Sequence, residues 1–316
     1  VIAIYSEDVV PSHARPKETA ARLENILDFM GGERLSYLNK ATCAAYVKHR
    51  GGKAIARREL EDLRAAVRHH WEAGLCSALT PVVLPQRGEP RDRWLTRQEA
   101  ARFLRTARRM RQTYFGETTE RVTGQHVARF FLVAAYTGTR ATPICNAALD
   151  QPTIGRSWID LKNGIFYRQA VRTRKKKTKQ QTPVRLPPRL LAHMRRWKRK
   201  GLAVHSLIEW NGAPVKRINK AFCSVVRAAG LANVTPHTLR HTCATWLAQR
   251  GVPTWEAAGF LGMTEQTFVA VYGHHHLDYQ QSAVNAFGSP GQFPDSFAAT
   301  KREQTGSNVF RIASKR

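Results

Sequence analysis

Four side chains late in the sequence are of types that handle phosphate. They are His237, Arg240 and His241 in the run His-Thr-Leu-Arg-His, and Tyr272 about thirty residues on. A planar guanidinium grips two oxygens of one phosphate. A nearby imidazole donates a hydrogen bond or moves a proton at neutral pH. A tyrosine hydroxyl can attack phosphorus and form a covalent intermediate. A second guanidinium, Arg140, follows Thr137-Gly138-Thr139, where glycine ends one helix and Thr142-Pro143 opens another. Taken singly, each piece is ordinary. His-x-x-Arg is common on solvated helix faces, a late helical tyrosine usually fills a core, and an arginine after glycine can simply cap the preceding helix.

Order and spacing together say more. Thr137-Gly-Thr-Arg140, then His237-Thr-Leu-Arg240-His241, then Leu261-Gly262, then Tyr272 resembles the signature of the tyrosine recombinase (phage integrase) family. The resemblance is strongest over 130–276 and weak before 80. It implies a site-specific recombinase that cuts and rejoins DNA through a 3′-phosphotyrosyl intermediate, for integration or excision of a phage or other mobile element. Tyr272 is then the nucleophile, Arg140 and Arg240 hold the phosphate, and His237 assists. A catalytic lysine belongs in a β-hairpin about eight residues before a Val-Pro-like strand end. Val184-Arg-Leu-Pro187 places it at Lys179, with Lys177 the second choice. No cofactor is implied, because the phosphotyrosine stores the bond energy. Double-stranded attachment or core sites, assembly as a homotetramer on DNA and an accessory directionality factor are implied as partners.

Two positions depart from the family pattern. Met263 stands where a histidine or tryptophan usually follows Leu-Gly, and a thioether donates no hydrogen bond to phosphate. His241 or His274 is the candidate substitute. Pro143 stands where an acidic residue often supports the first arginine. A catalytically silent DNA-binding regulator and a type IB topoisomerase are the rival readings; a basic structural protein would leave the ordered motifs unexplained.

These residues need elements to hold them. Thr235-Pro236 predicts a helix start, with Leu239, Cys243, Trp246 and Leu247 on its apolar face and Gly251 and Pro253 at its end. Residues 124–137 read as a buried helix. Thr96 and Glu99 form a capping box for a helix over 97–110. Residues 157–187 are the one clear β region, with Asn163-Gly164 as its turn and a third strand near 182–186. Between strands lies a basic loop containing Lys175, Lys176 and Lys177, expected to contact DNA. Basic helices follow at 188–200 and 215–229.

Upstream, 1–16 reads as irregular, and helices are expected at 17–30, 42–49 and 53–73. The last carries Arg57, Arg58, Arg64 and Arg68 around an apolar side, a pattern that suits sequence-independent phosphate contact. Residues 78–93 hold three prolines and no periodicity and read as a linker. The expected architecture is mainly α with a small antiparallel β-sheet, a two-lobed DNA clamp. It comprises a helical core-binding domain (1–77), a linker (78–94), a catalytic domain (95–288) and a flexible C-terminal tail (289–316). The resemblance places that tail on a neighbouring protomer.

Bulk composition agrees. The 316 residues include 51 Lys and Arg against 23 Asp and Glu, a net charge of +28. Such an excess costs stability by self-repulsion unless a polyanion neutralises it. The five cysteines are scattered, with no Cys-x-x-Cys pair, which suits free thiols in a reducing compartment. Adjacent His274, His275 and His276 point in different directions, so no metal site is expected. There is no apolar run of membrane length, and no signal peptide is expected. The chain begins at Val1, which admits residues upstream. A bacterial cytoplasmic location at the nucleoid is expected.

Overall fold

The computed structural model describes residues 1–88, 93–115, 117–172, 181–276 and 279. The chain divides into two compact units, Val1–Arg91 and Asp92–Arg316.

The first unit is helical: α1 (Ile2–Asp8), α2 (Pro16–Met30), α3 (Lys40–Arg50) and α4 (Lys53–Glu72). Helix α1 lies in the segment expected to be irregular. Seven residues are too few to be helical alone, and burial of Tyr5 against the unit's core holds it. Asn39 caps α3 in a reciprocal box with Thr42. The core gathers Leu23, Ile26, Tyr46, Leu60, Leu63 and Val67.

A buried acid knots this core. Glu59, 1% exposed, accepts two hydrogen bonds from the Arg50 fork and one from the Tyr46 hydroxyl, each at 2.8 Å. Removing one partner of such a pair leaves the other uncompensated. Glu59→Leu is expected to destabilise this unit by about 3 kcal/mol. Chemical denaturation followed by circular dichroism measures it, and a wild-type midpoint would contradict it.

Two of the arginines expected to clamp DNA have work inside the unit. Arg64 donates to the Val82 carbonyl at 2.9 Å, and Arg57 donates to the Pro85 carbonyl while pairing with Glu61. The segment expected to be a free linker therefore packs on α4 as far as Pro85, with Val82 buried. The physical reason is that an extended proline-bearing stretch has carbonyls without ladder partners, and the arginines supply donors. Arg58 and Arg68 point outward, their side chains 59% and 69% exposed beside Glu61 and Glu72.

The second unit opens with the expected capping box: Thr96 accepts from the Glu99 amide and Glu99 accepts from the Thr96 amide, starting α5 (Arg97–Arg109). A hairpin that the β reading omitted follows, β1 (Arg111–Tyr114) with β2 (Glu117–Val122). Strand β2 is mostly polar and little buried, so no alternation marks it. Helix α6 (Gln125–Thr137) is buried on all sides and forms the axis of the unit. After it come α7 (Ala141–Cys145), β3 (Ala148–Leu149), β4 (Trp158–Asp160), β5 (Ile165–Tyr167), β6 (Val184–Arg185) and α8 (Pro188–Arg199).

The four strands form one sheet in the order β3-β4-β5-β6; β4, β5 and β6 are antiparallel, and β3 is parallel to β4. The β4–β5 connection is a four-residue loop. Asp160 carboxylate oxygens accept from the Asn163 amide and side chain, and Gly164 takes φ +68° to close it. A short pair, β7 (Glu209–Trp210) and β8 (Ala213–Pro214), precedes α9 (Asn219–Ala228). Then come α10 (Thr238–Ala248), α11 (Thr254–Leu261) and α12 (Glu265–Tyr272), the helices that carry the phosphate-type residues. No helix among the described residues is long and apolar enough to cross a membrane.

Candidate active site

Helix α10 starts three residues after Thr235, not beside it. The Thr238 hydroxyl accepts from the Thr235 amide at 3.0 Å and closes a turn first. That turn makes His237 the N-terminal boundary residue of α10. The helix is also buried more widely than a single apolar face requires, with Thr238, Leu239, Arg240, Thr242, Cys243 and Thr245 all inside. Arg240 is thus a buried guanidinium, 5% exposed.

Its position is set by main-chain carbonyls. Arg240 Nη1 donates to Gly138 O at 2.9 Å and to Leu261 O at 2.6 Å. Gly138 ends α6 with φ +60°, and a Cβ there would come within 2.2 Å of the Leu261 side chain. Only glycine permits both the turn and the close approach of α11. Arg140 lies two residues beyond, at the N-terminal boundary of α7, so the hold of Arg240 on Gly138 also fixes the junction that presents Arg140. Among the described residues Arg140 has no side-chain hydrogen bond and no ion pair. Pro143, in the place of the family's acidic residue, is buried, and its carbonyl accepts from Ser157 Oγ at 2.6 Å.

A third arginine, which sequence reading missed, completes the cluster. Arg168, 3% exposed, follows β5. It donates to Thr182 O at 2.6 Å, to Thr182 Oγ1 at 2.8 Å and to Phe260 O at 2.9 Å. Thr182 Oγ1 in turn donates to Gly259 O at 3.0 Å. Three successive carbonyls at the C-terminal end of α11 (Gly259, Phe260 and Leu261) are therefore met by Thr182, Arg168 and Arg240. A helix C-terminus carries partial negative charge, and cations there are favoured. Arg168→Lys would keep the charge but lose the fork. We expect it to lower stability by about 1–3 kcal/mol, the cost of buried carbonyls left unpaired, read as a shift in the denaturation midpoint; no shift would refute the assignment.

The electrostatics are one-sided. Burial, then Arg240 and Arg140, push the Arg168 guanidinium down to about 10. Burial, then Arg140, push Arg240 down to about 10. Burial, followed by His241, Arg240 and Arg140, lowers the His237 imidazole, so it is neutral at pH 7. No aspartate or glutamate among the described residues pairs with any of the three arginines. Cys243 lies in the same region, but burial pushes its thiol up to about 12, which keeps it protonated and unreactive.

Tyr272 ends α12 and is 3% exposed, its ring packed 5.4 Å from that of Phe268. Its Oη lies 2.8 Å from His241 Nδ1. It is close enough to Arg240 to act on its charge. The structure thus brings Arg140, His237, Arg240, His241 and Tyr272 together. Met263 packs against the apolar cluster of Phe268 and Tyr272, a packing role. His274 is exposed on the turn after Tyr272, its ring 3.9 Å from that of His275. Lys175, Lys176, Lys177 and Lys179 lie outside the described residues, as does the 289–316 tail. No cluster of metal-ligating side chains occurs among the described residues.

Comparison with known proteins gives one family and a consistent fold. Residues 93–278 match the model described as the phage integrase family. No curated protein matches the chain. Its fold is similar to the Tn1549 transposon integrase in complex with transposon right end DNA, at 16% identity and TM-score 0.67, over 91% of this chain and 99% of that one. It is similar to a lambda integrase dimer bound to a core site, at 16% identity and TM-score 0.64, over 86% and 75% of the two chains. A lambda integrase tetramer bound to a Holliday junction matches at 16% identity and TM-score 0.64, over 84% and 76%.

Proposed function

The chain belongs to the phage integrase family, and from that premise we propose that it is a tyrosine-type site-specific recombinase, cutting and rejoining DNA strands to integrate or excise a mobile element. The observation that carries this reading is the Tyr272 hydroxyl on His241 and beside buried Arg240, in an arginine cluster that no carboxylate among the described residues neutralises. Buried charge without a partner is costly. A phosphodiester brings the missing negative charge, and the strained cluster becomes a preorganised receptor for it.

In this mechanism Tyr272 Oη attacks the scissile phosphorus and forms a 3′-phosphotyrosyl bond, releasing a 5′-hydroxyl. Arg140 and Arg240 hold the two non-bridging oxygens and stabilise the charge that develops on them. His237, neutral at pH 7, donates a hydrogen bond to the phosphate. Lys179 protonates the leaving 5′-oxygen. The reverse attack by another strand's 5′-hydroxyl reseals the backbone without ATP. Double-stranded DNA is the proposed substrate, with dimeric and tetrameric assembly on it, a reading supported by the similarity to a lambda integrase dimer on a core site and a tetramer on a Holliday junction. Arg58 and Arg68 of the first unit face solvent and suit phosphate contact. An accessory directionality factor belongs to the same reading.

The test is incubation with nicked suicide duplexes selected for tight binding, followed by denaturing electrophoresis. The expected result is an SDS-resistant protein–DNA adduct whose peptide map places the nucleotide on Tyr272. Tight binding with no adduct would favour a silent regulator. Relaxation of supercoiled DNA lacking any selected site would favour a topoisomerase.

A further inference from the structure

In strand cleavage the phenolic proton of Tyr272 needs an acceptor. The hydroxyl must lose it as oxygen bonds to phosphorus, and it sits in a buried place where water is not the obvious acceptor. His237 is not on the tyrosine in this structure. It stands at the start of α10, and its ring meets that of His241 edge-on at 4.9 Å. One helical turn further, His241 places Nδ1 at 2.8 Å from Tyr272 Oη. That is inside the roughly 2.6–3.2 Å that proton transfer to a general base requires. The two imidazoles thus differ in place: His237 lies near His241, Arg240 and Arg140, and His241 is within hydrogen-bond distance of Tyr272 Oη.

We propose that His241 is a catalytic residue, the base that takes the phenolic proton of Tyr272 and later returns it. The inference rests on the recombinase reading. In cleavage the Tyr272 O–H proton moves to His241 Nδ1, the oxygen–phosphorus bond forms, and the phosphorus–O5′ bond breaks. The 5′-oxygen takes its own proton from a separate cationic donor, a lysine ammonium. In religation the 5′-hydroxyl attacks and returns its proton to the lysine amine, the O5′–phosphorus bond forms, the phosphorus–phenolic oxygen bond breaks, and the imidazolium gives its proton back to Tyr272. His241 therefore does not stand in for the hydrogen-bond donor that Met263 lacks; it serves the opposite end of the displacement. The local structure favours this division, because α10 and α12 are joined through the same apolar cluster that seats Phe268 and Tyr272.

The experiment is single-turnover adduct formation on a suicide duplex with wild type, His241→Gln and His241→Gly. Each is assayed on an ordinary phosphodiester and on a 5′-bridging phosphorothiolate, whose thiolate leaves without a proton. Loss of a base costs on the order of 10²–10⁴ in rate. His241→Gln should be slower by that factor on both substrates, with duplex affinity retained, and free imidazole should accelerate His241→Gly in proportion to its concentration. Rescue by imidazole also shows that the variant is folded. Cleavage by His241→Gln within threefold of wild type would overturn the proposal. So would restoration of its rate by the phosphorothiolate, which would put His241 on the leaving group, or a His241→Gly that binds DNA and ignores imidazole. If wild type itself forms no adduct on a duplex it binds, the recombinase reading falls and this inference with it; if only the variants match wild type, the inference alone falls.

Discussion

Tyr272→Phe is expected to form no SDS-resistant adduct with any duplex that wild type cleaves, while binding that duplex with wild-type affinity. The substitution removes one oxygen. The ring that remains still packs against Phe268 within the apolar cluster shared by α10, α11 and α12, so the packing of α12 on α10 and α11 survives. What is lost is the proposed nucleophile and its contact with His241. A lost hydrogen bond of this kind costs about 1 kcal/mol of stability, far too little to unfold the unit. No described residue beside it offers a second nucleophile, since the Cys243 thiol is held protonated by burial. The effect on chemistry is therefore all or nothing, and the effect on fold is small. Gel shift and adduct assays on the same preparation measure both. An adduct that persists in Tyr272→Phe would move the nucleophile elsewhere and remove the central element of the mechanism.

The second large effect separates the two arginines proposed to share the phosphate. Arg140→Ala is expected to slow cleavage by about 10²–10³-fold, the usual loss for one preorganised donor to a transition-state oxyanion. Its stability should be unchanged or higher. Arg140 makes no side-chain hydrogen bond among the described residues, and its charge repels Arg240 and Arg168. A group held below its ordinary value by burial and like charge binds its proton less well in the folded than in the unfolded chain. At neutral pH the charged cluster therefore opposes folding, and removing one charge relieves it. Arg240→Ala should lose at least as much rate and also lose stability, because the carbonyls of Gly138 and Leu261 are left buried without their donor, at about 1–3 kcal/mol each. Thermal melting beside single-turnover cleavage distinguishes the two. Equal destabilisation by both substitutions would mean that Arg140 is structural, contrary to its geometry. A site that trades stability for function in this way should also regain stability when a duplex fills it.

Much of this was written in local sequence. The capping box at Thr96 and Glu99, the glycine ending α6, the buried run of α6 and the loop at Asn163-Gly164 are decided by residues within a few positions of one another. The order of Arg140, His237, Arg240 and Tyr272 is legible too, because chemical type and position along the chain can be read without the fold. Boundaries drifted where a side chain outbid the helix, as when the Thr238 hydroxyl closed a turn ahead of α10. Short or polar elements gave no periodic signal: α1 is held by the core it packs on, and β2 buries almost nothing.

Long-range contact decided the rest. Arg168 is an ordinary basic residue in its own neighbourhood, and its meaning comes from a carbonyl 92 positions away. Arg57 and Arg64 have the same composition and spacing as solvated phosphate clamps, yet the chain that returns along α4 claims them. His241 looks like a spare imidazole until α12 brings Tyr272 to its Nδ1 across 31 positions. The physical reason is common to all three. Periodicity and caps are short-range and survive in a string of letters. The pairing of a buried donor with its acceptor depends on which distant backbone arrives beside it, and only the packed fold makes that choice.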